Sequence, residues 1–206
     1  MQVTVRPATD SDIPELARVL GIAFLDDPVA TYFVPDAGVR ADRMALMYAT
    51  LTRTHFLRYG GVDVVEDDAG TIVGAAVWAP PGHWHASTAA TLRAAPNMIR
   101  AFRGRIRLAG RMAERMADVH PREPHWYLAF IGTLPTARGR GYGQALLNSR
   151  LDRCDAEGVP TYLESSKAEN VPYYERFGFV QTAEHDFTDG GPLVWSMWRE
   201  PADQAD

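Results

Sequence analysis

Between Trp126 and Leu147 an apolar run, Trp126 to Ile131, passes through a turn rich in glycine into a segment that reads as the first turns of a helix. A buried strand feeding a helix through such a turn constrains the fold strongly. Gly139, Gly141 and Gly143 let the backbone adopt positive φ and approach a ligand, and the first N–H groups of a helix have no partner within it. Together with the positive end of the helix dipole they form an anion site, whose natural occupant is a phosphate.

The spacing excludes two common phosphate sites. A P-loop ends in Gly-Lys-Ser/Thr, whereas the one lysine of this chain is Lys167. A dinucleotide fingerprint needs glycines at relative positions one, three and six, and the sixth position is Gln144 counted from Gly139 or Leu146 counted from Gly141. Glu164, about 20 residues past the turn, stands where a ribose-binding acid would be expected. The failed glycine count outweighs it.

The turn carries Arg138-x-x-Gly141-x-Gly143, preceded by Leu134-Pro135 and followed by Ala145-Leu146-Leu147. This resembles the pyrophosphate-binding motif of the GCN5-related N-acetyltransferase superfamily, whose ligand is acetyl-coenzyme A. About 30 residues on, Asn170-Val171-Pro172-Tyr173-Tyr174-Glu175-Arg176-Phe177-Gly178-Phe179 resembles that family's Asn-x-x-x-Tyr-x-x-x-Gly-Phe segment. The stretch from His120 to Arg199, and more loosely residues 23–28, is further similar to puromycin N-acetyltransferase and its relatives.

With 206 residues, 46% hydrophobic and 23% charged, the chain can bury a full core. It reads as one domain over residues 1–200, with a frayed tail at 201–206. No apolar run of about 18 residues spans a membrane and no signal-peptide layout opens the chain, so a cytoplasmic protein is expected. A net charge of -5 speaks against nucleic acid as a partner. The single cysteine, Cys154, reads as a small core residue. The arginines between Arg93 and Arg115 lie in a segment where Ile99, Phe102, Ile106, Ala109, Ala113 and Met116 recur at helical spacing. They read mainly as the wet face of an amphipathic helix, with a lip over the acceptor or the coenzyme phosphates as the alternative.

The remaining pattern is α/β. Val3 to Arg6 alternates like a strand, Asp12-x-x-Glu15 starts an amphipathic helix, and a second helix spans 38–58. Residues 62–66 and 71–78 form a hairpin, and 84–120 form a helical insertion. The helix after the glycine turn ends near Gly158, followed by a strand at 161–164, a short helix at 172–177 and strands near 179–187 and 192–199. This order matches the fold that the resemblance implies, a mixed, mostly antiparallel central sheet flanked by helices, with the fourth and fifth strands parting to admit the coenzyme.

Acetyl transfer to an amine needs a base for the amine, an acid for the departing thiolate and donors for the oxyanion. The resemblance places the acid at Tyr174, whose bland reading is a core aromatic. Glu123 and Glu164 are the base candidates, and either could equally be a plain surface or hydrogen-bonding carboxylate. A backbone N–H near Phe130 or Ile131 would hold the oxyanion. The resemblance assigns coenzyme binding to Phe130, Ile131, Gly132, Arg138, Gly139, Arg140, Gly141, Tyr142, Gly143, Gln144, Asn170 and Tyr174. Asp26, Asp27, Trp84 and Trp126 are candidates for the acceptor site. His83, His85, His120 and His125 lack accompanying ligand spacing, so no metal is expected.

The expected function is an acetyl-coenzyme A-dependent N-acetyltransferase for a small-molecule amine, with an aminonucleoside antibiotic as one acceptor class and antibiotic resistance as the corresponding role. A protein N-terminal or lysine acetyltransferase would share the coenzyme motifs. A non-catalytic acyl-coenzyme sensor could dispense with Tyr174, and a nucleic-acid module would rely on the arginine helix. Nothing in the residues sets the oligomeric state.

Overall fold

The computed structural model describes residues 3–202. Residues 203–206 of the expected tail lie outside the described residues. Seven strands form one sheet in the order β1-β2-β3-β4-β5-β7-β6: β1 (Thr4–Pro7), β2 (Val62–Glu66), β3 (Ile72–Ala79), β4 (Trp126–Thr133), β5 (Thr161–Ser165), β6 (Val180–Asp186) and β7 (Leu193–Arg199). All neighbours are antiparallel except β4 and β5. The chain is thus the mixed, mostly antiparallel α/β fold that the sequence implies. The final strand does not take the edge: β7 sits between β5 and β6.

β3 is buried along its whole length, which explains its unbroken apolar run. Ala75, Val77 and Ala79 enter one core cluster, Ala76 and Trp78 the other. The first cluster packs beneath α1 (Ile13–Ala23), α2 (Pro28–Phe33) and α3 (Ala37–Leu51), the second beneath α6 (Tyr142–Glu157).

α1 starts as expected, but its signal works differently. The Asp12 carboxylate reaches back to the Thr9 N–H at 2.7 Å and pairs with Arg6 at 2.8 Å, so it closes a turn before the helix. Gly21 lets α3 approach, since a Cβ there would lie 2.4 Å from the Ala41 carbonyl oxygen. The helix expected over 38–58 is α3, continued by a π-helical turn at Thr52–Phe56 and a 3-10 turn at Leu57–Tyr59. α2 was not anticipated. Its start is nevertheless written in Asp27-Pro28, an N-cap whose carboxylate accepts from the Ala30 N–H at 2.9 Å, with proline at the first position.

Residues 84–120 hold α4 (Thr88–Phe102) and α5 (Ile106–Val119), separated by a 3-10 turn at Arg103–Arg105 where Arg103 takes φ 47°. The break resets the helical phase. Ile99, expected inside, is 55% exposed, and α5 buries Met112 rather than Ala113. Arg93, Arg100, Arg107 and Arg111 are exposed, whereas Arg105 donates to the Tyr32 carbonyl and Arg115 pairs with Asp189 at 2.8 Å.

α6 ends where Gly158 turns left-handed at φ 64°, a glycine C-cap. A buried ion pair, Arg150 to Asp63 at 2.7 Å, ties α6 to β2, and Arg199 to Asp155 ties β7 to α6. Cys154 is fully buried and burial pushes its thiol up to about 12, as a core residue should be. The last helix, α7, spans Val171–Glu175. Among the described residues no helix is long and apolar enough to cross a membrane, and no group of three His, Cys, Asp or Glu side chains is arranged to hold a metal ion.

Candidate active site

β4 and β5 pair only over Trp126–Leu128 and Thr161–Leu163. Beyond that point they part. On its other side β4 slips register against β3: Leu128 opposes Trp78 and Phe130 opposes Val77, leaving Ala129 as an extra residue. Such a bulge bends its strand and raises the twist, which steers β4 away from β5. Consistently, Ala129 and Phe130 both pack toward the first cluster, breaking the alternation. A cleft of about 600 Å³ opens in the gap.

The cleft is lined by Leu128–Thr133 of β4, by residues of the glycine turn and the start of α6, by 163–167 at the end of β5, and by Asn170, Tyr173 and Tyr174. Ala23, Phe24 and Asp27 close it from the α1 side. Eleven of the expected coenzyme residues therefore line one cleft: Phe130, Ile131, Gly132, Arg138, Gly139, Gly141, Tyr142, Gly143, Gln144, Asn170 and Tyr174. Arg140 is exposed and is not in the lining.

The glycines divide the labour differently from expectation. Gly139 and Gly141 have φ 76° and 82°, and a Cβ on either would meet no protein atom within 4 Å, so they serve backbone conformation at an open surface. Gly143 is not left-handed. It is the second residue of α6, and a Cβ there would lie 3.2 Å from the Tyr173 hydroxyl. The Tyr142 side chain is buried in the core, so what it offers the cleft is the backbone at the helix start, where N–H groups lack intrahelical partners. This cradle can hold a diphosphate.

Tyr174 is 8% exposed, its ring edge-on to Tyr173 and Phe179. Burial, with smaller contributions from Tyr173 and Asp27, holds its hydroxyl well above the ordinary tyrosine range, so it carries its proton at neutral pH. Glu164 lies in the cleft wall with its carboxylate turned into the fold. Glu123 does not: its side chain is exposed and outside the lining, and only its carbonyl is engaged, 2.6 Å from His125 Nδ1.

Three acceptor-site expectations are corrected by strand alternation and loop packing. Trp126 and Leu128 face α6, so Trp126 is buried beneath Arg150, whose guanidinium carbon lies 4.6 Å from its ring centre, and it is not in the cleft. Trp84 is likewise outside the lining and stacks on the His120 ring at 3.8 Å. Asp26 is exposed and lies only at a small neighbouring depression. Asp27 does line the cleft, but its oxygens are engaged: one caps α2, and the other accepts from the Ser166 hydroxyl. Burial raises its pKa, opposed by those hydrogen bonds.

Sequence reasoning missed Arg40, buried at 6% exposure, which donates to the carbonyls of Val34, Leu25 and Pro35 at 2.6–2.7 Å and fixes the loop carrying Asp27. It also gave no role to His120 and His125, which meet at 3.0 Å beside Glu164. A histidine immediately before the central strand was the available signal.

A sheet split at its one parallel pair, with a glycine cradle on one lip and a buried tyrosine on the other, defines an acetyltransferase-type fold and cleft. The acetyltransferase (GNAT) family model matches residues 31–179, and the chain belongs to that family. It is 31% identical over 189 residues to an uncharacterized N-acetyltransferase of Schizosaccharomyces pombe, covering 82% of this chain and 71% of that protein. The structure described as histone acetyltransferase HPA2 and related acetyltransferase from Corynebacterium glutamicum superposes with a TM-score of 0.76 at 30% identity, over 100% of both chains. The polyamine N-acetyltransferase of Drosophila melanogaster shares the fold with a TM-score of 0.63 at 16% identity, over 97% of this chain and 100% of that one.

Proposed function

We propose that this chain transfers acetyl from acetyl-coenzyme A to a primary amine of a small molecule with an aromatic or hydrophobic portion, an aminonucleoside being one such class. The observation that carries it is the meeting, in one cleft, of the left-handed Gly139 and Gly141, the start of α6 and the buried Tyr174. The residues fit the coenzyme, because the space beyond the two glycines is open and the helix start offers donors to its diphosphate. When bound, the coenzyme supplies an activated acetyl group and a thiol leaving group.

Tyr174 holds a proton at Oη and gives it up to the departing sulfur. The β4 backbone from Phe130 to Gly132, freed from β5, supplies N–H donors where negative charge develops on oxygen. Of the two carboxylates, Glu164 is the base, since it alone belongs to the cleft wall. The Ser166–Asp27 hydrogen bond bridges the two sides of the acceptor end, which favours a closed pocket over an open peptide groove. The name of the Corynebacterium structure speaks for a second reading, a protein lysine or N-terminal acceptor. Thiol release measured side by side on bulky small amines and on lysine or N-terminal peptides separates them. The best small amine should exceed any peptide in kcat/KM, and a peptide leading by more than about tenfold would overturn the small-molecule acceptor.

A further inference from the structure

On the acceptor side of the sheet, Glu164, His120 and His125 are packed together out of solvent. The Glu164 and His120 side chains are 4% and 3% exposed, and both Glu164 oxygens are buried without a hydrogen-bond partner. The Tyr127 and Tyr162 hydroxyls approach the carboxylate without meeting it at hydrogen-bond geometry, and a carboxylate so poorly partnered is disfavoured in such a place. His120 Nδ1 stands 3.6 Å from Glu164 Oε1, within electrostatic reach but beyond a hydrogen bond.

The ring nitrogens fix the proton count. His125 Nδ1 is 2.6 Å from the Glu123 carbonyl oxygen, which can only accept, so this nitrogen carries a proton. Burial lowers the pKa of His125, leaving it neutral with a bare Nε2. His120 Nε2, 3.0 Å away, must then be the donor. A neutral His120 therefore points the lone pair of Nδ1 at the Glu164 carboxylate, an unfavourable opposition that one proton between them removes. The rings are held in place by Trp84 stacked on His120, by Tyr127 and Tyr162 edge-on to it, and by Trp198 edge-on to His125. Other titratable groups facing the cluster are the Tyr127 and Tyr162 hydroxyls of β4 and β5, held neutral by burial, the Glu123 carboxylate beside His125, and His185 of β6, reached through Ser196.

We propose that Glu164 and His120 act as one base with a single shared proton site, and that His125 is a positioning residue whose fixed tautomer leaves His120 Nδ1 as the nitrogen able to take that proton. This deepens the acetyl-transfer reading and rests on it. An N–H bond of the acceptor ammonium breaks, an O–H bond forms at Glu164, which borders the cleft, and the amine keeps the electron pair; His120 Nδ1, behind Glu164, shares that proton. The pair passes from one negative charge to neutral, and the proton returns to solvent after the product leaves.

The test combines nitrogen-15 NMR of the histidine rings across pH, on the coenzyme-free protein, with the pH profile of kcat/KM from thiol release. In the wild type the His120 Nδ1 signal and the acid limb of kcat/KM should share one midpoint, the macroscopic value of the pair. Glu164→Gln should abolish that midpoint in the His120 signal and lower kcat/KM by about a hundredfold or more. His125→Gln, whose amide oxygen can still accept from His120 Nε2, should keep the midpoint, and His125→Leu should lose it. A His120 titration unchanged by Glu164→Gln, or a kinetic limb at a different pH in the wild type, would overturn the shared site. Wild-type protein that releases no thiol with any amine would overturn the base role together with the acetyl-transfer reading, while the NMR comparison would still decide whether the proton is shared.

Discussion

The two halves of the cleft are made of different material. The coenzyme half, against α6, is largely backbone: two left-handed glycines, the start of a helix and the free edge of β4. The acceptor half is made of side chains from distant segments, Phe24 and Asp27 after α1 and Glu164 on β5, with His120 and His125 packed behind Glu164. A backbone site is contiguous in sequence and tolerates change outside a few glycines. A side-chain site is assembled by the fold and depends on buried hydrogen bonds that hold its loops.

Breaking the backbone half should have the largest effect on coenzyme affinity. Gly141→Val forces a β-branched residue to φ 82°, where nothing but glycine sits comfortably, and places a Cβ in the ligand's space. Coenzyme affinity should fall by about a hundredfold or more in a protein that remains folded, because left-handed strain adds about 1–2 kcal/mol to the lost approach. Calorimetric titration checks this, and unchanged affinity in the folded variant removes the cradle.

Arg40→Leu attacks only the side-chain half. Three carbonyls lose a charged donor, and a stability loss of about 3 kcal/mol or more is expected from denaturant midpoints. Because the loop they hold carries Asp27, the acceptor KM should rise by about tenfold while coenzyme affinity stays within about twofold. If both ligands weaken equally, the halves are not separable.

Asp27 and Asp26 sharpen the contrast within one dipeptide. The Asp27 pKa is raised in the fold, chiefly by burial, so its charged form penalises folding above the raised value, and the penalty disappears as pH falls through that value toward the ordinary 3.8. The stability difference between wild type and Asp27→Asn should therefore favour the wild type more at pH 4 than at pH 7. A difference independent of pH would contradict the burial. Asp26→Asn, at an exposed side chain, should change stability and kcat/KM least, by less than about twofold in rate.

What the sequence made legible follows the same division. The strand, glycine turn and helix of 126–147, the hairpin at 62–79, the stop at Gly158 and the last two strands all rest on local periodicity or turn chemistry, which needs no partner to be read. Three features needed the sheet. Trp126 and Tyr127 alternate faces, but only the assembled layers show that Trp126 looks at α6 and Tyr127 at the acceptor side. The extra residue Ala129, which bends β4, leaves no mark in an apolar run. The pairing of His120 with Glu164 joins residues 44 apart that no spacing rule connects. The 84–120 segment failed locally, because the Arg103–Arg105 turn broke one helical phase into two.

The central claim, that the cleft binds the coenzyme through one half and performs chemistry at the meeting of both, is tested most directly by Tyr174→Phe with saturating coenzyme and a productive amine. Phenylalanine keeps the ring contacts with Tyr173 and Phe179 and deletes the hydroxyl proton. Turnover should fall by about ten- to a thousandfold with coenzyme affinity within about twofold of wild type. Wild-type turnover in that variant would return Tyr174 to the core and contradict the account.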